Sequence, residues 1–110
     1  MTNTKKYLGA MASATALLAS ACLFSSSVQA DTAAAEATFK TKCAMCHGAD
    51  GKGKEAMKTP DLTSADVQKK SDAELGGLIS NGKPPKMPAY KTMTPEQIND
   101  MVAFIRSLKK

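Results

Sequence analysis

Cys43-Ala44-Met45-Cys46-His47 is the stretch on which the reading of this sequence turns. It has the form C-x-x-C-H, the pattern of a c-type haem attachment site. The spacing has a physical reason. On a helix, side chains three and four residues apart lie on one face. Cys43 with Cys46, and Cys43 with His47, meet those spacings. Two thiols and one imidazole therefore converge on a patch about one turn long. Thiols placed there can add to the two vinyl groups of a haem, and the imidazole can stand beneath the iron as its proximal ligand.

The same motif has other uses. A thioredoxin-like pair needs a βαβ setting, and no strand pattern lies nearby. A structural zinc site takes four ligands, yet His47 is the single histidine and there is no second Cys/His cluster. A plain disulfide is the remaining alternative.

The 110 residues suggest one domain preceded by a leader. Lys5 and Lys6 begin a positive segment, an Ala/Leu-rich stretch follows from about Tyr7 to Phe24, and Val28-Gln29-Ala30 gives a small-x-small cleavage site. This reads as a secretory signal peptide over residues 1–30, leaving a domain at 31–110. The apolar stretch is interrupted by Ser and Thr and is weak for a membrane span. Ala19-Ser20-Ala21-Cys22 also resembles a bacterial lipobox, so lipid anchoring through Cys22 is the alternative processing route. Export selects an oxidising compartment, and the expected location is the periplasm.

The net charge of +5 becomes +3 without Lys5 and Lys6, which is too little for a nucleic-acid footprint. A domain this small often needs a covalent or metal staple, and with no Trp the aromatic bulk is scarce.

Asp31 and Thr32 are candidate caps for a helix from Ala33 to about Met45, with Phe39 on the face of Cys43. Three glycines between Gly48 and Gly53 form the turn leaving it. Pro60 makes the Thr59–Leu62 segment extended. That segment can present a carbonyl to the N–H of His47, as metal-bound histidines require, or be an ordinary loop. Thr63 to Asp66 open a short helix reaching Lys70. Ser71-Asp72-Ala73-Glu74 is a capping box whose helix carries Leu75, Leu78 and Ile79 on one face, interrupted by Gly76-Gly77 and ended by Asn81-Gly82. Thr94-Pro95-Glu96-Gln97 starts the last helix, with a stripe of Ile98, Met101, Val102, Ile105 and Leu108 and with Phe104 at its edge.

With one histidine, the sixth iron ligand must be a methionine sulfur, a lysine amine or nothing. Met45 lies inside the motif, Met57 is close to His47 without a rigid setting, Met93 precedes a cap and Met101 belongs to the stripe. Met87 is far enough along to wrap over the haem, and Pro84, Pro85 and Pro88 stiffen its loop. Met87 is the expected distal ligand, an open or otherwise ligated iron the rival. His/Met ligation raises the reduction potential and leaves no position for substrate.

On these residues the chain resembles the small monohaem class I cytochromes c. The resemblance spans nearly all of 33–110: Phe39, the Cys43–His47 motif with Gly48, Pro60 and Leu62, the Met87-Pro88-Ala89-Tyr90 loop, and the final helix with Phe104 and Ile105-Arg106. It implies an all-α fold of three to five helices around one covalent haem c, with the first and last helices crossing through Phe39 and Phe104. Ala35 stands where the family often has Gly. The resemblance also implies that Pro60 supplies a carbonyl to His47, that Leu62 packs on the ring, that Ile79 and Tyr90 line the pocket, and that Met87 is the axial ligand.

The functional expectation is a periplasmic electron carrier, monomeric and without a membrane span in the mature chain, and not an enzyme. Its partners would be redox donors and acceptors docking on a lysine-rich haem edge, drawn from Lys40, Lys42, Lys52, Lys54, Lys58, Lys83, Lys86 and Lys91. A merely solvated surface is the bland reading of those lysines. The alternatives are a haem enzyme subunit (peroxidase or reductase) or a gas-sensing module, both of which need an open sixth position.

Overall fold

Asp31 starts the first helix by accepting the Ala34 N–H on its carboxylate. The structure, a computed structural model, describes residues 29–110. Most of the expected leader, including Lys5, Lys6 and Cys22, lies outside the described residues. Helix α1 runs Thr32–Lys42 and α2 Ala44–His47. A single 3₁₀ turn follows at Glu55–Met57, then α3 (Ala65–Gln68), α4 (Asp72–Asn81) and α5 (Pro95–Ser107). No strand occurs among the described residues; Lys83 and Met87 form one isolated antiparallel bridge.

The helix expected from Ala33 to about Met45 is interrupted at Cys43. Cys43 is a turn residue, and the N–H groups of Cys46 and His47 both return to the Cys43 carbonyl, at 3.1 and 2.9 Å. The attachment motif is thus its own short helix. Both capping boxes form: Ser71 with Glu74, and Thr94 with Gln97, each with side chain and backbone exchanging bonds.

Helix α5 packs against α1 and α4. Phe39 and Phe104 meet with ring centroids 5.2 Å apart and planes tilted by 53°. Such a pair contributes roughly 0.5–1.5 kcal/mol beyond its area burial. Phe39 is 1% exposed, and Ala35, one turn earlier, is also buried, so a methyl group fits at the crossing. Phe104 is buried at the centre of this contact rather than lying at the edge of the α5 stripe, whose outer members Ile98 and Leu108 are only partly buried. The face of α5 that meets α1 is rotated toward 104 because Phe39 fills the space there.

Gly76-Gly77 does not break α4. Gly76 is buried, and a Cβ there would stand 3.0 Å from Ile98 Cγ2, so the missing side chain lets α4 approach α5. Gln68 donates through Nε2 to the carbonyls of Leu62 (2.7 Å) and Ile105 (2.9 Å). Arg106 binds Asp72 Oδ1, the Gln68 carbonyl at 2.6 Å and the Lys70 carbonyl. These two side chains fasten the α3–α4 junction and the 60–62 segment to the last helix.

Candidate functional site

The helices leave a cavity of about 1110 Å³ between the attachment segment and the 83–90 loop. That is slightly larger than the usual ligand pocket, which spans roughly 300–1000 Å³. Cys43, Cys46 and His47 line it, as do Pro60, Leu62, Ile79, Met87 and Tyr90. The structure therefore brings together every site residue expected from sequence. Phe39, Met101 and Ile105 connect its wall to the helical core.

Both thiols are free. Burial pushes the Cys43 thiol above its ordinary pKa, opposed by Lys42 and reinforced by Cys46. Reactive redox thiols have lowered values, so this environment is the reverse of a thioredoxin-like nucleophile. Among the described residues no three His, Cys, Asp or Glu side chains gather as an ion site, and the motif does not form a zinc cluster.

Burial also pushes the His47 imidazole below its usual pKa, with the Pro60 carbonyl acting in the opposite direction. A neutral imidazole is the form that can ligate a metal. Its Nδ1 is enclosed by protein, with the Pro60 carbonyl as the acceptor acting on the ring. The contact is looser than a fully formed hydrogen bond. The ring is placed for Nδ1 to face protein, which leaves Nε2 for the cavity.

The approach of Pro60 to His47 depends on a glycine. Gly53 has φ +81 and donates to the His47 carbonyl at 2.7 Å. A Cβ at 53 would lie 2.5 Å from the Thr59 carbonyl oxygen and 3.0 Å from that of Pro60. Thr59 adds a bond from Oγ1 to the Cys46 carbonyl, 2.5 Å. We expect Gly53→Ala to destabilise the protein by about 2 kcal/mol or more, from left-handed backbone strain plus backbone overlap. The denaturation midpoint checks this.

In the 83–90 loop, Met87 is pinned by main-chain bonds in both directions to Lys83, 2.9 and 3.0 Å. Gly82 (φ +68) makes this possible, since a Cβ there would meet the Met87 carbonyl oxygen at 2.5 Å. The rigidity expected from prolines thus has a second source. Met57 and Met101 also line the cavity. Met57 sits in the 3₁₀ turn, a more ordered setting than its sequence suggested, and is 43% exposed, whereas Met101 is held within α5 at 2%. Met45 is 76% exposed and outside the cavity.

The cavity rim carries Lys42, Lys58, Lys69, Lys70, Lys83 and Lys86. Lys69 and Lys70 were missed from sequence. Their run in a polar stretch gave no signal, and only the fold of α3 toward α4 brings them to the rim. Lys40, Lys52, Lys54 and Lys91 do not line it; Lys40 pairs with Glu36 on α1.

Two free thiols, one neutral imidazole with a sheltered Nδ1, and an apolar cavity of this volume fit a covalently bound haem. The comparisons with known proteins agree. A family model described as cytochrome c oxidase, cbb3-type, subunit III matches residues 30–105. The cbb3-type cytochrome c oxidase subunit FixP of Bradyrhizobium diazoefficiens is 38% identical over 80 residues, covering 71% of this chain and 28% of that protein. The subunit CcoP of Rubrivivax gelatinosus is 39% identical over 71 residues, covering 62% and 23%. The chain thus spans about a quarter of the length of these curated relatives. Among solved structures, the KustC0563 c-type cytochrome superposes with a TM-score of 0.63 at 27% identity, over 69% of this chain and 98% of that one.

Proposed function

Because the chain belongs to the c-type cytochrome family described as cytochrome c oxidase, cbb3-type, subunit III, we propose that it is an exported one-electron carrier with His47 and Met87 as its axial ligands. Family membership supplies the cofactor, a covalently bound haem c, and with it electron transfer. When bound, haem c takes up and releases one electron at a time. Cys43 and Cys46 would hold it through thioethers. His47 would bind iron through Nε2, oriented by the protein around Nδ1. Met87 would bind from the loop clamped to Lys83. Pro60, Leu62, Ile79 and Tyr90 would enclose the ring and exclude water, so that both oxidation states keep one geometry.

The observation that carries this reading is that the attachment segment and a pinned Met87 line one cavity. Oxidised and reduced optical spectra test it. A methionine-to-iron charge-transfer band is expected in the ferric protein. Fast cyanide or carbon monoxide binding without displacement of a ligand would instead favour the enzyme or gas-sensor readings.

Residues 1–30 would direct export and be removed after Ala30, placing the carrier in the periplasm; lipid anchoring through Cys22 remains the other route. The rim lysines, of which Lys69 is already paired with Asp66 at 2.8 Å, support docking of an acidic redox partner. Electron-transfer rates with such a partner should fall about tenfold or more between low and physiological salt, as steered encounters do. A salt-independent rate would remove the steering role. The relatives are named as oxidase subunits, which favours a second reading as the electron-transfer component of a membrane oxidase. No helix among the described residues is long and apolar enough to cross a membrane. Copurification with oxidase after detergent extraction distinguishes a resident subunit from a free carrier.

A further inference from the structure

We infer that Tyr90 is a positioning residue whose hydroxyl latches the Met87 loop to the haem attachment segment. The hydroxyl donates to the Lys42 carbonyl at 3.0 Å, across 48 residues of chain. Lys42 immediately precedes Cys43, and Tyr90 follows Met87 by three residues. One hydrogen bond therefore joins the two walls of the cavity next to their expected haem-binding groups. Lys42, Met87 and Tyr90 all line that cavity.

The acceptor is available because of the break at Cys43. In an unbroken helix the Cys46 N–H would bond to the Lys42 carbonyl. Here it turns to the Cys43 carbonyl at 3.1 Å. A helix end leaves carbonyls without partners, and Tyr90 satisfies this one. The interruption that makes the motif a separate helix thus also creates the docking point for the opposite loop. The Tyr90 main chain is held independently, its N–H donating to the Ile79 carbonyl at 3.0 Å. The backbone bond fixes the loop on α4, and the hydroxyl fixes it on the end of α1. Removing the hydroxyl leaves the first intact and releases the second.

This rests on haem occupying the cavity and on Met87 as distal ligand. The test uses Tyr90→Phe holoprotein, which keeps the aromatic ring. Two readouts are compared with wild type in the ferric state: the rate of imidazole uptake, which requires Met87 to leave, and hydrogen exchange at the Met87 amide. Both should rise about fivefold, the population change for one net hydrogen bond lost. Equal rates and equal exchange in the two proteins would overturn the latch. If wild type took up imidazole at once, the Met87 assignment would fail, and the Met87 amide would still decide the latch. Tyr90→Leu should not exceed Tyr90→Phe by more than the loss of ring packing. If Tyr90→Phe matched wild type and only Tyr90→Leu changed, the residue would act through its ring and the latch would be refuted.

Discussion

Cys43→Ser combined with Cys46→Ser should yield a protein without covalent haem and without a cooperative unfolding transition. The cavity is the reason. Phe39, Leu62, Leu75, Ile79, Met101 and Ile105 are buried residues that also border it, so the core and the wall of the cavity are the same side chains. Without haem these side chains would border about 1110 Å³ of open space, and only ~5–15 kcal/mol holds a small domain together. Water entry or collapse should therefore replace the native packing. Intact mass and thermal circular dichroism read the outcome. A double variant that kept the haem mass increment and a sharp melt would contradict the proposed attachment.

Met87→Ala should have the next largest effect. The variant would lose the proposed ligand without losing the group that the ligand holds. It should lack the methionine-to-iron band, have a lower reduction potential, and bind imidazole about a hundredfold more tightly, because a tethered competitor is gone. Met57 provides the control. It borders the same cavity from the 3₁₀ turn near His47, and Met57→Ala should leave spectrum and potential close to wild type. Exchanged behaviour of the two variants would move the distal ligand to Met57.

Local chemistry was the legible part of this chain. Two capping boxes and the end of α4 at Asn81-Gly82 are each encoded within a few residues, and each appears where expected. The crossing of α1 and α5 through Phe39 and Phe104 followed from the resemblance rather than from periodicity, which had placed Phe104 on the margin. Close approaches between distant segments were not legible. Gly76 reads as a helix breaker until Ile98 is placed against it. Lys69 and Lys70 read as a solvated pair until α3 turns them to the rim. The break at Cys43 was also hidden, since Ala-rich flanks favour continuing a helix. Around the break the Lys42 carbonyl accepts from Tyr90 and the His47 carbonyl from Gly53, contacts between segments that only the folded chain brings together.

The double grip of Gln68 on Leu62 and Ile105 makes the iron's colour a gauge of chain topology. When the carboxy-terminal segment detaches, the 60–62 segment beside His47 loses its tether in the same event. Absorbance at the porphyrin and ellipticity from the backbone should then trace superimposable melting curves, with no visible stage in which the terminus is free while the chromophore's surroundings persist.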